Sequence, residues 1–230
     1  MTRDGNITLK PGVTLFEYRI DSVLGQGGFG ITYKATDLQL NRTVAIKEYF
    51  PREFSHRDMN TARVVPHGNE EDRETFEWGL KRFLAEARTL ARFHHPSIVA
   101  IRRFFEFNDT AYIVMDFAEG RSLSEILKEK GSLSWGEVKS FLPSLLDGLA
   151  IVHKAGVLHR DIKPANIYLR HDGTPILLDF GSASQEIVQH SRSVTSIASA
   201  GYGAVEQYST HGKQAEYTDI YGLAATLYHV

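Results

Sequence analysis

Between His159 and Leu169 the chain reads HRDIKPANIYL, which sets Asp161, Lys163 and Asn166 close together between two apolar runs. A carboxylate can accept a proton, a lysine two positions on supplies positive charge, and an amide oxygen five positions on can ligate a hard metal ion. A lone loop aspartate is more often a turn former; the combination is what points to chemistry. Asp179 follows the apolar run PILL and opens DFG, Asp179 to Gly181. That position suits Mg2+, which takes one or two protein carboxylates together with substrate phosphates. GQGGFG, comprising Gly25, Gln26, Gly27, Gly28, Phe29 and Gly30, contains G-x-G-x-x-G. It joins two expected strands instead of opening a helix. This argues against a dinucleotide fingerprint and for a flap whose backbone N–H groups lie over phosphates. Lys47 ends VAIK in an apolar strand, where an ammonium needs a partner. Phosphates or a carboxylate on the following helix would serve, with Glu86, Glu74 and Glu77 as candidates.

These residues need elements to position them. YRIDSVLG, ITYKATD and TVAIKEY are β-branched and aromatic runs separated by glycines and the turn LQLNR, which predicts a three-stranded antiparallel unit. Residues 49–75, with Pro51, Pro66, Gly68 and the acidic NEED, read as an inserted surface loop. Phe76, Leu80, Phe83, Leu84, Ala87, Leu90 and Ala91 then share one helical face, ended by HHP at 94–96. VAIRRFFEF and TAYIVMDF bring the strands to five. Beyond Phe117 the pattern is helical, with capping boxes SLSE (122–125) and SWGE (134–137). The second box opens a long helix through Val138, Phe141, Leu145, Leu149 and Val152, in which Pro143 is expected to produce a kink. The expected organisation is a tail at 1–14, a sheet lobe at 15–117 and a helical lobe at 118–230. A ligand cleft is expected at the joint near 117–120.

Composition narrows the function classes. Hydrophobic residues at 42% and charged residues at 23% describe a globular chain, and its 230 residues suffice for a real core. A net charge of −2 gives no electrostatic drive toward nucleic acid or an anionic membrane. The absence of cysteine excludes disulfides, thiolate catalysis and cysteine-ligated zinc. With neither an apolar leader nor a bilayer-length apolar run, the expectation is a soluble, cytoplasmic protein.

GQGGFG, VAIK, HRDIKPAN and DFG occur in that order, and together they resemble a bacterial eukaryotic-type (Hanks-type) serine/threonine protein kinase over about residues 15–228. The resemblance implies an α+β, bilobal protein-kinase fold. Its N-lobe is a five-stranded antiparallel sheet with the family's helix αC, and its C-lobe is mainly helical. It implies ATP and Mg2+ as cofactors and a protein substrate. Gly25 to Gly30 would cover the phosphates, and Lys47 would hold the α- and β-phosphates and pair with Glu86. The nine-residue step from Glu86 to His95 matches the family's helix-to-strand spacing and favours Glu86 over Glu74 and Glu77. Asp161 would orient and deprotonate the acceptor hydroxyl, Lys163 would neutralise charge on the γ-phosphoryl, and Asn166 and Asp179 would hold Mg2+. Met115 would be the gatekeeper, Asp116 C=O and Ala118 N–H would read the adenine edge, and Ala45 and Tyr168 would sandwich the ring. Ser199 matches a hydroxyl kept beside the catalytic aspartate. Arg160 implies control by activation-loop phosphorylation, for which Ser191, Ser193, Thr195 and Ser196 are available. Autophosphorylation is expected.

Three departures stand out: AVE (204–206) in place of APE, the long 49–75 segment, and a chain that ends on the helix opened by Asp219. From the last of these, Leu223, Ala224, Leu227, Tyr228 and Val230 are expected to lose cover, leaving an incomplete C-lobe and a patch for a protein partner or self-association. The rival readings are a truncated kinase-fold module that binds nucleotide and regulates a partner without transfer, and a small-molecule phosphotransferase on the same fold.

Overall fold

The computed structural model describes residues 7–58, 60–180, 199–209 and 212–230. They fall into two compact units, Met1–Arg92 with Ala100–Phe117, and Phe93–Val99 with Ala118–Val230.

The first unit begins with β1 (Thr14–Leu15), β2 (Tyr18–Gln26), β3 (Gly30–Asp37) and β4 (Arg42–Tyr49). A small hairpin follows, β5 (Ser55–Arg57) and β6 (Val64–Pro66), and then helix α1 (Glu70–Leu90). β7 (Ile101–Phe107) and β8 (Thr110–Asp116) complete an antiparallel six-stranded sheet of order β1-β2-β3-β4-β8-β7. On β3, Ile31, Tyr33, Ala35 and Asp37 alternate into the core, as one covered face requires. The five expected strands are all present; the sixth, β1, is too short to leave a sequence pattern.

The 49–75 segment corrects its reading as polar surface loop. Phe50, Phe54 and Val64 are buried, and Arg57 makes an ion pair with the fully buried Glu48 at 2.5 Å. Arg57 also donates to the carbonyls of Ile7 (2.6 Å) and Ala62 (2.8 Å). Tyr33 and Tyr112 donate their hydroxyls to the same Glu48 carboxylate, at 2.8 and 2.6 Å. Burial, reinforced by the Glu48 charge, pushes both phenol pKa values up. Burial works against the Arg57 cation, but Glu48 outweighs it and holds the guanidinium above its ordinary value. The hairpin is fastened further by Val64 N–H to Asn108 C=O at 2.8 Å.

Helix α1 starts ahead of the expected Phe76 and takes the NEED run as its own N-terminus. Asn69 caps it by accepting from Asp72 N–H at 2.7 Å, and Glu70, Glu71 and Asp72 suit the positive end of the helix dipole.

The second unit contains β9 (Gly120–Ser122), α2 (Leu123–Lys130), α3 (Trp135–Lys154), β10 (Ile167–Arg170), β11 (Pro175–Leu177) and α4 (Glu216–His229). The three strands pair in the order β11-β10-β9. Both capping boxes form, at Ser122 with Glu125 and at Ser134 with Glu137. The Lys130 side chain, then the Ser134 N–H, lower the Glu137 carboxyl to about 2. Helix α3 runs from Trp135 to Lys154 with Pro143 inside it.

The expectation for α4 is corrected in part. Leu223 is buried, with Asp219, Gly222 and Thr226 beside it on the inward stripe. Ala224 and Tyr228 are exposed, Tyr228 at 95%, while Leu227 and Val230 are half-buried. The inward stripe lies against the loop after α3, where a side chain at Gly222 would sit 3.0 Å from the Ile162 carbonyl oxygen.

Candidate active site

In the second unit, the segment from His159 to Asn166 links α3 to β10 and ends in a short 3-10 turn over Pro164–Asn166. Asp161 Oδ1 accepts from the Ser199 hydroxyl at 2.8 Å, and Lys163 Nζ lies 2.8 Å from Asp161 Oδ2. Lys163 also donates to Ser199 Oγ at 2.7 Å. Asn166 Nδ2 donates to the Asp161 carbonyl at 2.8 Å and to Oδ2 at 2.9 Å, which turns the Asn166 amide oxygen the other way. Asn166 is buried, whereas the Asp161 and Lys163 side chains keep about a quarter of their surface exposed, at 25% and 27%. The cluster therefore presents one carboxylate and one cation to an incoming group.

The base of this loop is fixed by two buried groups. Asp219 accepts from the backbone N–H of His159 (2.8 Å) and Arg160 (2.6 Å), and its Oδ2 lies 2.7 Å from His153 Nε2. Burial alone would raise the Asp219 pKa, but the His153 hydrogen bond, the His159 interaction and the two N–H bonds together lower it. His159 is fully buried and its Nε2 faces the Leu178 carbonyl at 2.9 Å, so Nε2 must carry the proton. Nδ1 is then the acceptor, in agreement with the Asp161 N–H at 3.3 Å. Burial, ahead of the opposing Asp219 and Asp161 charges, pushes the His159 pKa down, consistent with a neutral ring.

Arg160 and Asp179 have positive φ, 66° and 54°, a conformation costing non-glycine residues about 1–3 kcal/mol. Arg160 is gripped on both sides, its N–H by Asp219 and its C=O by Gln207 Nε2 at 2.8 Å. Asp179 is exposed just beyond β11, and the Phe180 ring sits 4.5 Å from the His159 ring.

Both folded pKa values lie below the ordinary values of 6.5 for His159 and 3.8 for Asp219, so acid protonates the unfolded chain first. The His159 contribution is present above about pH 6.5 and is lost as pH falls below it; the Asp219 contribution is lost below about 3.8. Thermal melts from about pH 8 to about pH 4 should fall progressively below pH 6.5, with a shallower slope in His159→Gln. An unchanged slope in that variant would remove His159 from the account.

In the first unit, GQGGFG forms the tip of the β2–β3 hairpin, closed by Gly27 N–H to Gly30 C=O at 2.8 Å. A side chain at Gly30 would stand 2.7 Å from the Glu48 carbonyl oxygen, so the fold itself demands glycine there. No such demand exists at Gly25 or Gly28, where a Cβ would meet nothing within 4 Å. At Gly27 it would meet only Gly30 O at 3.8 Å. Among the described residues, the tip therefore keeps open surface beside Gly25 and Gly28.

Lys47 lies on β4 opposite Thr32 and Ile113, half-buried, and Ala45 pairs with Met115 in the same register. Glu86 is half-buried on α1, while Glu74 and Glu77 are exposed. The Asp116 side chain is held by Arg102, with Nε 2.6 Å from Oδ1. Among the other expected residues, Tyr168 on β10 and Ala118 before β9 belong to the second unit and are half-buried. Gly181 and the expected phosphosites Ser191, Ser193, Thr195 and Ser196 lie outside the described residues. Sequence reasoning missed His153 and Gln207, since neither lies near the residue it supports along the chain.

Over residues 18–230 the chain matches the protein kinase domain family. It belongs to that family. This kinase domain is 33% identical over 217 residues to a probable serine/threonine-protein kinase of Clostridium perfringens, covering 93% of the chain and 28% of the relative. It is 32% identical over 216 residues to the serine/threonine-protein kinase PrkC of Bacillus subtilis, covering 93% and 30% respectively. The chain thus spans under a third of the length of these two relatives. Among solved structures, the apo form of PpkA-294 superposes with a TM-score of 0.87 at 38% identity, covering 96% of this chain and 78% of that one. The kinase domain of Mycobacterium tuberculosis PknI does so at 0.68 and 26% identity, covering 96% and 77%. The expected bacterial Hanks-type membership and protein-kinase fold are borne out. No described helix is long and apolar enough to cross a membrane.

Proposed function

We propose that this kinase domain transfers the γ-phosphoryl group of Mg·ATP to serine and threonine hydroxyls of a cytoplasmic protein, its own chain included. The observation that carries the reading is the Asp161 carboxylate held between Ser199, Lys163 and Asn166, all within 2.9 Å. Phosphoryl transfer depends on positioning and charge neutralisation more than on covalent chemistry. Asp161 orients the acceptor hydroxyl and takes its proton as oxygen bonds to the γ-phosphorus and the bond to the β–γ bridging oxygen breaks, releasing ADP. Lys163 balances negative charge on the transferred group.

The Asn166 amide oxygen and the Asp179 carboxylate are hard donors, and among the described residues no group of three or more His, Cys, Asp or Glu forms a metal cage. A pair of oxygen donors completed by phosphate fits Mg2+, which when bound neutralises phosphate charge. In this reading Lys47, supported by Glu86, holds the α- and β-phosphates under the Gly25–Gly30 tip. The groups this reading assigns to adenine are Ala45, Met115 and the Asp116 C=O of the first unit and the Ala118 N–H and Tyr168 of the second.

Incubation with Mg·ATP and a generic protein acceptor, read by intact-mass spectrometry, tests the proposal. Mass steps of one phosphate on chain or acceptor are expected. Thermal stabilisation by ATP without such steps would favour the nucleotide-binding module instead.

The glycines give a second expected outcome. Gly28→Ala should leave stability within about 0.5 kcal/mol yet weaken ATP binding about fivefold, because its methyl enters the open surface. Gly30→Ala should cost about 1–3 kcal/mol of stability through its clash with Glu48. Melts of each variant with and without ATP separate the two effects; equal loss of stability would sink the distinction.

A further inference from the structure

The glycine-rich tip is tied to the start of the inserted segment. The Gly28 carbonyl accepts from Arg52 N–H at 3.0 Å, and the Phe29 carbonyl accepts from Phe50 N–H at 3.0 Å. The Arg52 guanidinium donates in addition to Gln26 Oε1, so residues on both sides of the turn are held. Both peptide bonds are trans, and a trans peptide points its N–H opposite to its C=O. Fixing the carbonyls of Gly28 and Phe29 toward residues 50–52 therefore aims the N–H groups of Phe29 and Gly30 away from them.

The tether has a firm footing. Phe50, Pro51 and Phe54 are buried, the Ser55 hydroxyl donates to the Pro51 carbonyl at 2.9 Å, and Arg57 is locked to Glu48 and stacked over the Phe50 ring at 5.0 Å. A hairpin tip with four glycines among its six residues would otherwise sample many peptide orientations.

We infer that Arg52 is a positioning residue for phosphate binding: its side chain, bonded to Gln26, braces the tip against residues 50–52, whose backbone N–H groups hold the Gly28 and Phe29 carbonyls and so set the tip's own N–H groups to meet nucleotide phosphates. This rests on the nucleotide-binding reading above. Arg52 acts through the glycine-rich tip. The inserted segment is then a strut that replaces tip mobility with a set geometry, and the phosphate end of the ligand is where its loss is felt.

Binding of Mg·ATP and of adenosine, which has no phosphates, tests this by calorimetric titration of the same chain. Arg52→Ala, which removes the Gln26 bond and keeps the backbone bond to Gly28, should raise the Kd for ATP about tenfold and leave that for adenosine within about twofold. Arg52→Lys, which keeps a cationic donor, should recover most of the loss. Arg63→Ala, which breaks the exposed pair between Arg63 on the same segment and Asp109 in the β7–β8 turn, should change neither. If Arg52→Ala does not fold, Arg52→Leu, which fills the space without a donor, carries the comparison with the same expected split. Unchanged ATP affinity, or equal weakening for ATP and adenosine, in a wild type that binds ATP overturns the inference alone. A wild type that binds neither ligand overturns the nucleotide-binding reading and the inference with it.

Discussion

Asp161→Asn is expected to lower phosphoryl transfer about 10³-fold while the chain still folds and binds ATP. The aspartate accepts on both oxygens, from Ser199 on Oδ1 and from Lys163 and Asn166 on Oδ2. Asparagine is nearly isosteric but keeps a single acceptor oxygen. If its amide nitrogen took the Oδ2 place, it would face Lys163 Nζ and Asn166 Nδ2, donor against donor. The amide therefore settles with its oxygen on that side and its nitrogen toward Ser199, whose hydroxyl can rotate to accept. The structural cost is about 1–3 kcal/mol, since the Lys163 pair and the Ser199 bond both lose the carboxylate charge. The chemical cost is much larger, because an amide cannot take up the hydroxyl proton. Intact-mass measurement of phosphate incorporation, paired with the ATP-induced shift in Tm, separates the two. Transfer within about tenfold of wild type, in a folded variant, would take Asp161 out of the proton-accepting role.

Arg57→Ala should be the most damaging change away from the chemistry. It strips the cation from a carboxylate with no exposed surface, and breaking a buried pair from one side costs about 3–5 kcal/mol. Against a typical stability of about 5–15 kcal/mol, that is a large share. For a chain of this length it corresponds to a fall in Tm of about 6–20 °C. Tyr33 and Tyr112 still donate to Glu48 but bring no charge. The double variant Glu48→Gln with Arg57→Met should recover much of the loss, since a neutral amide can accept from one tyrosine and donate to the hydroxyl oxygen of the other while methionine fills the guanidinium's space. Thermal melts of Glu48→Gln, Arg57→Met and the double close the cycle. A loss under about 1 kcal/mol in Arg57→Ala would mean that water reaches Glu48.

Legibility followed how far apart the interacting residues lie along the chain. The catalytic loop could be read directly because Asp161, Lys163 and Asn166 are near neighbours that also touch in space. The strands of the six-stranded sheet, apart from the two-residue β1, showed in β-branched runs, and α2 and α3 in their capping boxes. The start of α1 was misplaced because NEED has a loop's composition, and only the Asn69 cap makes it a helix. The 49–75 segment was misread for a different reason. Its polarity hides Phe50, Phe54 and Val64, and nothing near Arg57 along the chain announces that Glu48 will lie beside it.

The sequence by itself determined the family, the order of its motifs and the side chains available for phosphoryl transfer, because short-range spacing and residue chemistry are local properties. Only the tertiary structure decided what holds them. Asp219 reaches His159 and Arg160 from far down the chain, Ser199 comes to Asp161, and an inserted segment grips the glycine-rich tip through Arg52. Such bonds form between residues that chain folding alone brings together, and burial sets their strength by removing the water that would compete for each donor and acceptor.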